Sequence, residues 1–170
     1  TGDRNTAVGL QAGAAITTGS YNSFFGSDSG DATTTGDYNT GIGERSLSAN
    51  TTADYNTAIG FQSAKLNTTG TANVALGADA LRQNLTGAAN VAVGNNALVL
   101  NTASNNTAVG KNALTANTTG TQNTALGMNA LASNTTANDS IAIGYIALDT
   151  MTTGSFNTCV GSGAGTATTT

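Results

Sequence analysis

The sequence predicts an all-β chain, a parallel β-solenoid of about ten 17-residue coils in which residues 1–170 form a single repetitive domain. Three observations predict it. A glycine recurs at a fixed step, two apolar columns appear when the repeats are aligned on that glycine, and an asparagine stands at one position in nearly every repeat.

The glycine marks the phase. It falls at Gly9, Gly26, Gly43, Gly60, Gly77, Gly94, Gly110, Gly127, Gly144 and Gly161; eight of the nine intervals are 17 residues, and Gly94 to Gly110 is 16. One residue before it stand Val8, Phe25, Ile42, Ile59, Leu76, Val93, Val109, Leu126, Ile143 and Val160, all apolar. This reads as the core column. Three before it is a column of Thr, Ser, Val and Ile, from Thr6 and Ser23 to Thr158, two residues from the first and so on the same face of a strand. The residue between points the other way. It is mostly alanine: Ala7, Ala58, Ala75, Ala92, Ala108, Ala125 and Ala142, with Cys159 at the last copy.

Four before the glycine come Asn5, Asn22, Asn39, Asn56, Asn73, Asn90, Asn106, Asn123 and Asn157, interrupted by Ser140. Stacked amides can hydrogen-bond from rung to rung, and Asn tolerates the left-handed backbone of a corner. These residues are read as a structural ladder. The second half of each coil reads Ala-Leu-x-x-Asn-Thr-Thr-Gly. It supplies a second apolar column, Leu47, Leu81, Leu98, Leu114, Leu131 and Leu148, and a threonine file from Thr17 to Thr169. The Gly, Asn and Thr content opposes helix, so each coil is expected to hold two short strands between Asn and Gly corners. At ~4.8 Å per coil, ten coils make a rod roughly 48 Å long.

One such coil buries little, and a further contact surface would help it. The alanine file, taken as outward-facing, is the proposed chain–chain contact, because small side chains let another backbone approach. Parallel chains packed there suggest a three-fold bundle.

The recurrent Asn-Thr-Ala-(Val/Ile/Leu)-Gly resembles the head repeat of YadA-like trimeric autotransporter adhesins. Its extension, as in Asn106–Gly120, is similar to repeats of phage tail fibres and bacterial surface fibres. The resemblance covers essentially the whole chain, although the adhesin repeat is shorter than 17 residues. It implies a left-handed parallel β-roll, a homotrimer, and binding to host matrix protein or surface glycan. The implied location is extracellular, on a cell surface or a virion fibre, as a fragment of a longer fibre. Repeating subunits stacked end to end in a filament are the alternative.

Composition narrows the chemistry. Charged residues are 8% of the chain, the net charge is −4, and the five basic residues are scattered, so no nucleic-acid footprint emerges. No apolar run reaches the length of a membrane span. There is no histidine for acid–base work and one cysteine, Cys159, without a partner base. The nine acids do not all share one repeat position, and Asp28 with Asp31 reads as a solvated turn. The chain is therefore expected not to be an enzyme, with no catalytic residue, cofactor or metal. Tyr21, Tyr38 and Tyr55 share one column, with Phe156 at the same phase. They read either as cross-rung stacking or as an exposed ladder gripping sugar, a candidate surface ligand contact. Regular threonine files also raise an ice-binding solenoid, but adjacent Thr pairs such as Thr17–Thr18 point to opposite sides and give no Thr-x-Thr surface.

Overall fold

The computed structural model describes residues 2–167; Thr169, the end of the threonine file, lies outside them. It is an all-β solenoid, with no helix among the described residues. Ten three-residue strands lie in one sheet in chain order: β1 (Thr6–Val8), β2 (Ser23–Phe25), β3 (Thr40–Ile42), β4 (Thr57–Ile59), β5 (Val74–Leu76), β6 (Val91–Val93), β7 (Thr107–Val109), β8 (Thr124–Leu126), β9 (Ile141–Ile143) and β10 (Thr158–Val160). Every pairing is parallel and joins like positions, as in Ala58 opposite Ala75 and Ile42 opposite Ile59. The 16-residue coil keeps this register, with Val91 opposite Thr107 and Val93 opposite Val109. Its missing residue comes out of the corner after Asn101. There Asn101 Nδ2 reaches the Ala103 carbonyl two residues on at 2.7 Å, where Asn84 reaches Gly87 three residues on at 2.8 Å.

Each strand ends at the phase glycine because nothing else fits. Gly43 has φ 129°, and a Cβ on it would lie 2.5 Å from the Gly60 carbonyl oxygen of the next coil. The remainder of the coil is not the second strand that the sequence suggested. Positive φ recurs at every other residue, as in Gln62 (54°) and Ala64 (48°). Backbone N–H groups there alternate between two uses. Ser63, Lys65 and Asn67 donate to the carbonyls of Gly60, Gln62 and Ala64, closing tight turns; Gln62, Ala64 and Leu66 donate to Glu44, Ala80 and Arg82 in neighbouring coils. This wall is held between coils as firmly as a strand, with a different backbone.

The two faces of the strand are the reverse of the sequence reading. The expected core column is at the surface: Phe25 is 39% exposed, Ile42 40% and Leu126 46%, with Val8, Ile59 and Val160 also exposed and Leu76, Val93, Val109 and Ile143 half-buried. The alanines proposed for chain–chain contact are inside. Ala58, Ala75, Ala92, Ala108, Ala125 and Ala142 are wholly buried, and only Ala7 of β1 is exposed. The cause is the width of the interior. A three-residue strand turns two side chains one way and one the other, and here the single central residue faces the turn wall. That wall already fills the space with Leu47, Leu81, Leu98, Leu114, Leu131 and Leu148, all buried as expected, and with small residues such as Ala97 and Ala113. Only a methyl fits opposite them.

Both asparagine files are buried, apart from the end members Asn5 and Asn157, which are half-buried. Asn39 shows the pattern. Its Oδ1 accepts the Asn56 backbone N–H at 3.0 Å, while its Nδ2 donates to Asn22 Oδ1 at 3.1 Å and to the Ala53 carbonyl at 2.8 Å. The left-handed corner lies one residue earlier than expected, at positions such as Tyr38, Ala72 and Asn105, not on the ladder asparagine. The second file, Asn50, Asn67, Asn84, Asn101, Asn117 and Asn134, turns its amides to the same carbonyls. Gly70 oxygen accepts from Asn56 and from Asn67, each at 2.9 Å.

Candidate interaction surface

The outward side of the ten strands is a regular surface that runs the length of the sheet. Its two columns, Thr6 to Thr158 and Val8 to Val160, contain no charged residue. The position after the phase glycine adds exposed Leu10, Phe61, Met128 and Tyr145, interspersed with the exposed charges of Glu44 and Lys111. Parallel pairing repeats these side chains at ~4.8 Å along the rod. Burial of such a face against a matching one is favourable at about 25 cal/mol per Å² of apolar area.

The tyrosine column is a true ladder. Tyr21 and Tyr38 have ring centroids 4.7 Å apart and planes inclined by 7°; for Tyr38 and Tyr55 the values are 5.1 Å and 4°. All three leave the backbone at φ 57–60°, so one ring maps onto the next by translation. The Arg4 guanidinium lies 5.0 Å from the Tyr21 centroid and donates to its hydroxyl. The ring faces are therefore occupied by one another and by Arg4. A sugar stacking on a face has only the outer side of Tyr55 to use.

A smaller polar feature is a surface hollow of about 220 Å³ lined by Lys65, Leu66, Arg82 and Gln83. Lys65 and Arg82 occupy one position in adjacent coils, and Arg82 is paired with Asp79 at 3.7 Å. Asp28 is paired with Arg45 of the next coil at 3.5 Å. Beside it Asp31 has a buried Oδ1 without a hydrogen bond, and its pKa is raised, first by desolvation and then by the Asp28 charge. Cys159, half-buried in the alanine file, packs on the apolar core as a free thiol.

One set of structural residues escaped the sequence reading. Six before the phase glycine, short polar side chains hold the backbone of the preceding coil. Asp37 accepts from the Ser20 N–H at 2.6 Å, Asp54 from Asp37 at 2.7 Å, Ser104 from Ala88 at 2.9 Å and Asn138 from Thr121 at 2.7 Å. The column mixes Asp, Ser, Thr and Asn, with Ala88 in one coil, so no single letter marks it; the signal is a short acceptor in the other coils.

Compared with protein-family models, curated proteins and solved structures, the chain matches none.

Proposed function

We propose that this chain is a structural and adhesive segment of an extracellular fibre, with parallel copies packed along the strand face, three-fold packing favoured. The observation that supports it is the uncharged file of half-exposed Val, Ile, Leu and Phe running the length of the sheet. A second copy of this chain is the occupant that fits it best, because only a stack with the same rung spacing meets every side chain in the same way. The face measures roughly 48 Å by 10 Å. Mating two such faces, with the flanking Leu10, Phe61, Met128 and Tyr145, removes about 1,000 Å² in total, at the lower limit for a specific interface. The alanine stripe has no part in this packing.

In this reading the fibre binds host matrix protein or surface glycan through surfaces outside the packed face, and it performs no catalysis, resting on the absence of histidine from the sequence. An end-to-end filament uses the same coils in another assembly. Ice binding gains one observation. The strand face does present a file of hydroxyls, Thr6, Ser23, Thr40, Thr57, Thr107, Thr124 and Thr158, beside the apolar file. Its neighbours range from Val8 to Phe25 and so do not make an even plane. A thermal hysteresis assay separates the two.

The solution mass of the isolated chain tests the packing. A multiple of the 16.6 kDa protomer is expected, falling to one protomer in the Ile42→Lys/Leu126→Lys variant. A wild-type chain that stays monomeric at micromolar concentration contradicts it.

A further inference from the structure

We infer that Tyr21, Tyr38 and Tyr55 form an oxidative cross-linking site, at which a dityrosine bond staples neighbouring coils. Three observations carry this, and none depends on the fibre reading. The rings are stacked with centroids 4.7–5.1 Å apart and nearly parallel, which holds the two phenols of each pair one rung apart. They are at the surface, 41%, 45% and 61% exposed, which lets a one-electron oxidant reach the phenols and leaves the rings free to hinge. The fourth tyrosine, Tyr145, is equally exposed but stacks on no other ring among the described residues, so it is a built-in control.

The chemistry balances with hydrogen peroxide as the oxidant and a haem peroxidase as catalyst. Each of two phenols loses one electron and its hydroxyl proton, giving two phenoxyl radicals. Their ortho ring carbons join in a new C–C bond. The two hydrogens on those carbons move to the phenol oxygens as the rings regain aromaticity. The pair has then lost two hydrogen atoms in all, and one peroxide has become two waters. In a freely moving chain, radical pairs must first meet. Here the backbone holds them one rung apart, which raises the local concentration of each radical around its partner. The bond closes a loop of one coil and opposes its unwinding.

Treatment of the dilute full chain with peroxidase and peroxide tests this, with the products cut before aspartate. Asp28, Asp37 and Asp54 place the three tyrosines on separate peptides. Expected products are Tyr21–Tyr38 and Tyr38–Tyr55 linked peptides, lighter by two hydrogens than their sum, in a yield independent of protein concentration. Tyr38→Phe keeps a ring in the stack and leaves Tyr21 and Tyr55 two rungs apart. Intramolecular dityrosine should drop at least tenfold in that variant while its melting temperature holds. A yield that tracks protein concentration, links that fall as often on Tyr145, or an unchanged yield in Tyr38→Phe would each overturn the assignment.

Discussion

At the scale of single residues, the solenoid is set by polar atoms as much as by apolar ones. Removing one ladder amide leaves a buried N–H and a buried carbonyl short of a partner. Asn73→Ala, which strips the acceptor from the Asn90 N–H and a donor from the Gly87 carbonyl, should cost about 2–4 kcal/mol in chemical unfolding. Ile16 and Thr33 stand in place of the second-file asparagine in the first two coils, and one later coil departs at both ladder positions together. Ser140 replaces one asparagine and Met151 the other, and the thioether is buried where the second amide would lie. Phe24 shows a similar adjustment. It stands in the alanine file, and the three positions around it are glycines. A Cβ on Gly30 would come within 2.4 Å of the Phe24 ring, one on Gly41 within 2.9 Å, and one on Gly13 within 3.3 Å. The buried leucines sit at φ 50–53°, a left-handed conformation that favours glycine. Leu98→Ala should lose about 2–5 kcal/mol. Leu98→Gly should be no worse, reversing the usual order of the two, because glycine relieves the backbone. Asp31 gives the pH dependence. Its folded pKa is raised by desolvation, so the folded chain holds that proton more tightly than the unfolded one. This contribution stabilises as pH falls through the folded pKa and is unfavourable above it. Asp31→Asn should therefore gain stability at neutral pH and lose that gain on acidification, as thermal melts across pH would show.

At the scale of elements, strand and corner tolerate change differently. The 16-residue coil loses its residue at the corner after Asn101 and leaves the pairing of β6 with β7 intact. Deleting Ala92 from β6 would instead shift every following side chain to the opposite face. Restoring a residue between Thr102 and Ala103 should leave the melting temperature within a few degrees of wild type, whereas deletion of Ala92 should abolish cooperative unfolding. The parallel stack, its register and the asparagine ladder were legible in the sequence because identical letters recur where identical environments stack. The direction of the strand was not. Alternation says that Ala92 and Val93 face opposite ways, and hydrophobicity then favours valine inside. What decides is the turn wall, where Leu98 and Leu114 fill the interior and leave room for a methyl. That wall was itself misread, because Ala-Leu-x-x-Asn looks strand-like until the backbone shows leucine at positive φ.

At the scale of the whole molecule, one translation generates the rod. Every claim about ladders, the tyrosine stack and the apolar face depends on copies lying over one another at a constant step through ten strands. A spin-label distance series reads that step directly. With Cys159→Ser as background, labels go on Thr40→Cys paired in turn with Val91→Cys, Thr107→Cys and Thr124→Cys, which lie three, four and five strands away on the same outward column. The distances should rise by ~4.8 Å per coil, from roughly 14 Å to 24 Å, with no break at the 16-residue coil. Distances that do not grow with coil number, or that jump between Val91 and Thr107, would contradict the stacked repeat.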